Sequence, residues 1–435
     1  MSFTISHLHA REVLDSRGNP TLEVELSLSD GSQGRGMAPS GASKGEHEAI
    51  ELRDGDPTRY FGKGTKKAVS SVNEKIDRAI KGRTFETLSA LDGLLIELDG
   101  SSQKGNLGAN AILATSLAFA WATSQSKGIP LYSLFNAEMG LGEGDLRMPV
   151  PLMNILNGGV HANNGLEIQE FMIVPHGFAN FSEALMAGCT VFHNLKKKLD
   201  ALGLSTAVGD EGGFAPSVGS NERALEIIME AIEASGYTLG RQISLALDVA
   251  ASSFFDRKIQ KYHFRTQNEA QVTSRALLEF YSRLVTRFPI VSIEDPLDEN
   301  DWAGWKELTS VLGGKCQIVG DDIFVTQKAR LEKGIVEKVG NAILVKVNQV
   351  GSLSETFDTM RLAKGRGFGS IVSHRSGETE DVTIAHLAVA SGCGQIKTGS
   401  LSRGERTAKY NELLRIEERS QIVGKPIGLA KFGRY

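Results

Sequence analysis

From about residue 150 onward, one grammar repeats along the chain: a short apolar run ends in a polar or charged residue, and a segment long enough for a helix follows. The runs are SLALD at Asp248, IVSIED at Glu294, QIVGDD at Asp321, AILVK at Lys346, SIVSH at His374 and GQIK at Lys397. Segments such as WAGWKELTSVL and SETFDTMRLAKGRG stand between them, the pattern of successive βα units. Two earlier runs, VPLMNIL and LEIQEFMIV, bring the strands to eight. Eight such strands predict a closed (β/α)8 barrel of the α/β class, with the polar residues gathered at its C-terminal mouth. The connection NGGVHANNG between the first two runs is too short for a crossover helix, so those strands are expected to pair antiparallel, giving ββαα(βα)6. One of the two helices that follow is well marked. ERALEIIMEAIEASG places Leu225, Ile228, Met229 and Ile232 on one face, with Asn221 near its start and Gly236 at its stop.

The first part of the chain mixes alternating segments such as TLEVELSLSDG with helical ones such as KKAVSSVNEKIDRAI, which reads as a smaller α+β domain. EMGLGEGDLRMPVP reads as a linker, so the boundary is expected near residues 138 and 139, with 1–138 capping a barrel of 139–435. FGKGTKKA mimics a phosphate loop but has Pro57 where the first glycine belongs. With 48 basic against 52 acidic residues, the formal charge of −4 argues against a nucleic-acid or membrane-surface protein. The run Lys196 to Lys198 reads as a solvated helix face. Cys189, Cys316 and Cys393 lie far apart, which suggests neither a disulfide framework nor a zinc site. The N-terminus lacks the pattern of a signal peptide, and the apolar stretch ANAILATSLAFAWATS is short and interrupted by Asn110, Thr115 and Ser116. A soluble cytoplasmic protein with no membrane span is expected.

Lys346 is the odd residue in this scheme, a charge inside the run NAILVKVNQVGS. It is either an edge residue or structural ion pair whose ammonium reaches water, or a residue with a chemical task. The barrel register favours the second. Asp248, Glu294 and Asp321 end three consecutive strands, so their carboxylates converge and raise one another's pKa unless a hard, oxygen-preferring cation neutralises them. Mg²⁺ fits best, with Mn²⁺ the alternative. Across the mouth stand Lys346 and Lys397. A cation, a second lysine and partial burial would all favour a neutral Lys346, and a neutral lysine is a base.

The chain resembles enolases along its whole length, in DSRGNPTLEVEL, APSGASKGEHEA, NGGVHANNGLEIQEFMIVP, VGDEGGFAP, LALDVAAS, SIEDP, IVGDDIFVT, LVKVNQVGSLSET, VSHRSGETED and IKTGSLSRGERTAKYNELLRIEE. The resemblance implies reversible, Mg²⁺-dependent dehydration of 2-phospho-D-glycerate to phosphoenolpyruvate. It implies that Asp248, Glu294 and Asp321 hold one Mg²⁺, and that Ser43, on a mobile loop, helps to hold a second recruited with substrate. Lys346 matches the general base, a role for Lys or His already general in this superfamily. Lys397 matches a second lysine facing the substrate carboxylate. Glu211, aided by Glu170, matches the acid that protonates the departing hydroxyl. Gln169 and His161 match substrate contacts, Arg375 and Ser376 a phosphate-binding pair, and His374 lines the mouth. The resemblance further implies a homodimer or an assembly of dimers. A cell-surface or secreted pool, known for enolases, is not readable from the sequence.

Taken alone, His161 reads as a turn residue, Arg375 as a surface cation and Ser43 as a helix cap, while Glu211 in its Gly-flanked turn is evenly poised. His47 reads as a surface histidine. Three positions depart from the family pattern: Ser253 where Glu is usual, His386 where Asp is common, and Lys44 where Thr is usual. The first two are expected in helices away from the chemistry, whereas Lys44 adjoins Ser43. Two other functions compete: an acid-sugar dehydratase or racemase sharing the same barrel, and a non-catalytic binding or structural protein. The phosphate pair argues against the first, and retention of Lys346, Glu211 and the carboxylates against the second.

Overall fold

The computed structural model describes residues 2–41, 45–264 and 271–419. Ser43 and Lys44 lie outside the described residues. Strands β1 (Phe3–Leu14), β2 (Pro20–Leu28) and β3 (Gln33–Met37) form an antiparallel meander, and β4 (Thr84–Phe85) adds to the free edge of β1. The first turn is built by DSRGNP: Asp15 Oδ1 accepts from the backbone N–H of Arg17 at 2.9 Å and of Asn19 at 2.8 Å, and Gly18 takes the left-handed φ of 72°. Helices α1 (Lys66–Ser70) and α2 (Asp77–Ile80) are joined through a π-helical turn over Ser71–Ile76 into the one helical stretch expected there. They are followed by α3 (Leu88–Asp99), α4 (Ala109–Lys127) and α5 (Leu131–Glu138).

The apolar stretch of the sequence is α4, and it is buried on nearly every side. It lies so close to β3 that a Cβ at Gly34 would sit 2.0 Å from the Ala118 carbonyl oxygen, and one at Gly36 2.4 Å from Leu117 Cβ. Side-chain-free residues on the strand and alanines on the helix are what permit this approach. No helix among the described residues is long and apolar enough to cross a membrane.

The barrel begins with β5 (Val150–Asn157) and β6 (Glu170–Pro175), then α6 (Phe181–Ala201) and α7 (Asn221–Ala234) lead to β7 (Ile243–Asp248). A small hairpin, β8 (Phe255–Asp256) and β9 (Lys261–Tyr262), precedes the alternating run α8 (Ser274–Arg287), β10 (Ile290–Glu294), α9 (Trp302–Leu312), β11 (Gln317–Gly320), α10 (Lys328–Glu337) and β12 (Ala342–Val345). The chain closes with α11 (Val347–Val350), α12 (Leu353–Gly365), β13 (Gly369–Ser373), α13 (Thr383–Ser391), β14 (Gln395–Lys397) and α14 (Gly404–Arg419). The order around the barrel is β10-β11-β12-β13-β14-β5-β6-β7. β6 runs antiparallel to both β5 and β7, the reversal that the short NGGVHANNG connection requires.

His386 lies in α13, buried, with its Nε2 3.2 Å from Glu412 of α14, and Ser253 lies exposed on a 3-10 turn after β7. The Lys196–Lys198 run is on α6, where Lys196 and Lys197 are exposed and Lys198 pairs with Glu230 at 2.6 Å.

Candidate active site

Register gathers the predicted residues at one rim. Asp248 and Glu294 end β7 and β10 and stand opposite each other across that pair. Glu170 is the first residue of β6, and because β6 runs backwards it also stands opposite Asp248. Asp321, Lys346 and His374 each follow directly on the last residue of a strand, and Lys397 ends β14. Apart from Ser43, every predicted site residue but Glu294 lines a pocket of about 430 Å³, and Glu294 bonds the Lys397 ammonium beside it. Five of these residues come from connecting segments: His161, Gln169 and Glu211, and Arg375 with Ser376 just beyond His374.

The lysines sit among the carboxylates. Lys397 Nζ donates to Asp248 Oδ2 at 2.8 Å and to both oxygens of Glu294 at 2.9 and 3.0 Å, and lies 3.4 Å from Glu170 Oε1. Lys346 Nζ pairs with Asp321 Oδ2, while Asp321 Oδ1 accepts from Gln349 Nε2 at 2.8 Å. Burial alone would push both lysine pKa values down, but Asp321 beside Lys346, and Asp248, Glu170 and Glu294 around Lys397, outweigh it, so both are held above the ordinary lysine range. Without a cation, then, Lys346 is held charged; the neutral form expected from the sequence belongs to a cation-loaded mouth. The protein's own nearest charge to Lys346 is an ionised carboxylate in direct contact, which counting a cation, Lys397 and burial left out.

The carboxylates are likewise pushed apart in pKa. Burial and the neighbouring Asp248 drive Glu294 well above the usual carboxylate range, whereas for Asp321 the burial penalty is overcome by Lys346 and its pKa falls. Mutual elevation, as expected from sequence, therefore holds for Glu294 and fails for Asp321. The second pair is Glu170 with Glu211. Burial and the charge of Glu211 raise Glu170 well above its ordinary value, while His374 and His161 outweigh burial at Glu211 and hold it well below. The two are thus pushed in opposite directions, Glu170 toward its protonated form and Glu211 toward its ionised form. Glu211 Oε2 accepts from Asn154 Nδ2 at 3.2 Å and lies 3.3 Å from His374 Nε2; His161 Nδ1 lies 3.8 Å from Glu170 and 4.0 Å from Glu211.

On the far side Arg375 is buried, its guanidinium fork held by Glu48 at 3.0 and 3.2 Å and by Asn348 Oδ1 at 3.0 Å. Ser376 is buried beside it. The surface reading of Arg375 is thereby excluded.

A divalent cation suits the donor chemistry here. Asp248, Glu294 and Asp321 all offer carboxylate oxygens, and two buried acceptors of pocket-lining residues, Glu170 Oε2 and Gln169 Oε1, have no hydrogen-bond partner among the described residues. The groups whose ligand atoms all lie within 4.8 Å are His161–Glu170–Glu211 and Asp295–Asp321–Asp322. Asp248 and Glu294 instead share the Lys397 ammonium, so the predicted triad is bridged by lysine and not drawn tight. Asp295 was missed from sequence although it lies in the SIEDP stretch. Its two oxygens accept from the backbone N–H of Asp321 at 2.9 Å and of Asp322 at 3.0 Å, fixing where the Asp321 carboxylate emerges, and its own backbone takes a φ of 42°. Asp322, pushed up to about 8 by burial and Asp321, and Glu48 were missed as well. Nothing local marks Glu48, since its partner is more than three hundred residues away.

Comparison with known families gives two matches. The family model described as "Enolase, N-terminal domain" matches residues 5–135, and the one described as "Enolase, C-terminal TIM barrel domain" matches residues 145–428.

Proposed function

The chain belongs to the enolase family, and from that premise we propose that it catalyses the reversible dehydration of 2-phospho-D-glycerate to phosphoenolpyruvate and water. The observation that carries this reading is one pocket lined by a lysine amine at Lys346, a closely set carboxyl pair at Glu170 and Glu211, and the Arg375–Ser376 pair. Arg375 suits a phosphate because its buried guanidinium, steered by Glu48 and Asn348, brings a fixed positive charge and N–H donors to the pocket, with Ser376 beside it. Lys397 faces the substrate carboxylate, and Gln169 and His161 complete the contacts.

Asp248, Glu294 and Asp321 would hold a Mg²⁺ and Ser43 a second, and that charge, when bound, stabilises the negative charge that builds on the substrate carboxylate. Lys346 Nζ takes the C2 proton, which it can do only after giving up its own and parting from Asp321. The electron pair left at C2 forms the new double bond as the C3–oxygen bond breaks. The hydroxyl leaves as water with a proton from the Glu170–Glu211 pair. His374 steadies Glu211 through this step. We further propose a cytoplasmic homodimer or assembly of dimers, with residues 1–138 capping the barrel.

The test is ultraviolet absorbance of phosphoenolpyruvate appearing from 2-phosphoglycerate, with Mg²⁺, in excess chelator, and on Mg²⁺ restoration. Turnover should vanish with the chelator and return with the ion. No product under any condition would refute the function, and undiminished turnover in chelator would refute the metal assignment. A panel of non-phosphorylated sugar acids, expected to be inert, guards against the acid-sugar dehydratase.

A further inference from the structure

Arg406, in the first turn of α14, is fully buried and is not itself among the residues lining the pocket. Its guanidinium gathers four acceptors. Nη1 donates to His374 Nδ1 at 2.5 Å and to the Arg375 carbonyl at 2.6 Å; Nη2 donates to the Ser376 carbonyl at 2.7 Å and to the Asp210 carbonyl at 3.2 Å. Gly399 makes room for the side chain, since a Cβ there would lie 2.8 Å from Arg406 Cδ. One side chain thus ties the loop that carries Glu211 to the loop that carries His374, Arg375 and Ser376.

The contact with His374 has a chemical consequence. A guanidinium has five donors, no acceptor, and does not release its proton in proteins. A ring nitrogen 2.5 Å from it must therefore present a lone pair. That leaves the only ring proton on Nε2, the nitrogen 3.3 Å from Glu211 Oε2. We infer that Arg406 is a positioning residue for the dehydration half of the reaction, fixing His374 as the Nε2–H tautomer and so aiming one donor at the Glu211 carboxylate. The inference rests on the proposed function. Burial and the Arg406 charge, against the opposing pull of Glu211 and Glu378, bring the His374 pKa down to about 4, in keeping with a neutral ring. In the opposite tautomer two donors would face each other at Arg406, and a bare Nε2 would face an ionised Glu211. Glu211 would then lose the donor that Nε2 offers it.

Two measurements test this. In full-length protein carrying ¹⁵N-labelled histidine, with His374 assigned by its disappearance in His374→Gln, the wild-type ring should show the downfield resonance of a bare Nδ1 and a proton coupled to Nε2. In Arg406→Lys, which keeps the charge but cannot reach all four acceptors, kcat for phosphoenolpyruvate formation should fall about a hundredfold, while deuterium exchange at C2 of 2-phosphoglycerate stays within about threefold of wild type. A protonated Nδ1 in wild type would overturn the inference, whether or not the variant folds. So would full dehydration activity in Arg406→Lys, or equal losses of exchange and dehydration, which would mark a structural strut only. If wild-type protein makes no phosphoenolpyruvate at all, the proposed function fails, and the ring resonances still report whether Arg406 sets the tautomer.

Discussion

Replacing Lys346 with Ala separates its chemical role from its electrostatic one. The side chain is 15% exposed and its partner Asp321 9%. Breaking a buried ion pair by removing one partner costs about 3–5 kcal/mol, and leaving a buried acceptor unpaired about 1–3. Partial exposure, and the Gln349 bond that Asp321 keeps at 2.8 Å, bring the expected loss to roughly 2 kcal/mol in chelator. The sign with pH follows from the raised lysine pKa: the stabilisation is fully present below the unfolded lysine value and is lost as pH rises through the folded one. Magnesium should erase the deficit. With no ammonium competing for Asp321, the variant should bind the ion more tightly than wild type does, and at saturation each tenfold difference in Kd returns about 1.4 kcal/mol to the variant, so about thirtyfold tighter binding offsets the loss. Denaturant unfolding with and without Mg²⁺ measures both terms, and NMR in heavy water measures exchange of the C2 proton, expected to fall about 10²- to 10⁴-fold. Retained exchange would show that another group is the base. A stability deficit unchanged by Mg²⁺ would show that lysine and cation do not share Asp321.

Glu211→Gln keeps shape and hydrogen bonding but cannot donate the proton, so it should lose nearly all phosphoenolpyruvate formation while still exchanging the C2 proton; loss of both in a variant that binds substrate and metal would refute the division of labour. Asp92, on α3, is buried where it accepts from the N–H of Ser354 at 2.9 Å in the first turn of α12, and burial pushes its pKa up to about 6. A carboxyl raised in the folded state weakens the fold as pH climbs from 3.8 through about 6. Asp92→Asn should therefore gain about 3 kcal/mol relative to wild type between pH of about 4 and about 8, read from denaturation midpoints, and an equal difference at both would refute it. Gly34→Ala forces β3 off α4, and thermal unfolding should show a loss of about 1–3 kcal/mol; an unchanged midpoint would mean that the close approach is dispensable.

The barrel was legible because its strands are apolar runs of uniform kind with a polar residue at each end, and register alone then brings the ends of β7, β10 and β11 together. The reversed start was legible too, from the length of NGGVHANNG. Charge balance was not. Whether Lys346 is protonated depends on Asp321 meeting it in space, and Lys397 reaches between Asp248 and Glu294 from the far end of the chain. Glu48 and Arg406 escaped for a related reason. Each is an ordinary charged residue in its local sequence, and only tertiary contact puts one on Arg375 and the other on His374. For Asp295 the signal was present, a carboxylate beside Glu294, but its work is on backbone N–H groups, which no side-chain pattern reveals.

The barrel closes where Gln395 of β14 pairs with Val150 of β5. These are the last and first barrel strands, so a chain emerging from a ribosome must hold β5 and β13 with unpaired edges until β14 has been made. Long-range parallel pairing of this kind folds slowly and exposes strand edges while it waits. The same late strand brings Lys397, the ammonium bonded to Asp248 and Glu294. A nascent or truncated chain ending before β14 thus lacks both the seam and the counter-charge, and its acidic rim opposes premature closure by its own repulsion. Closure of the seam and neutralisation of the rim arrive together, in the three residues Gln395–Lys397.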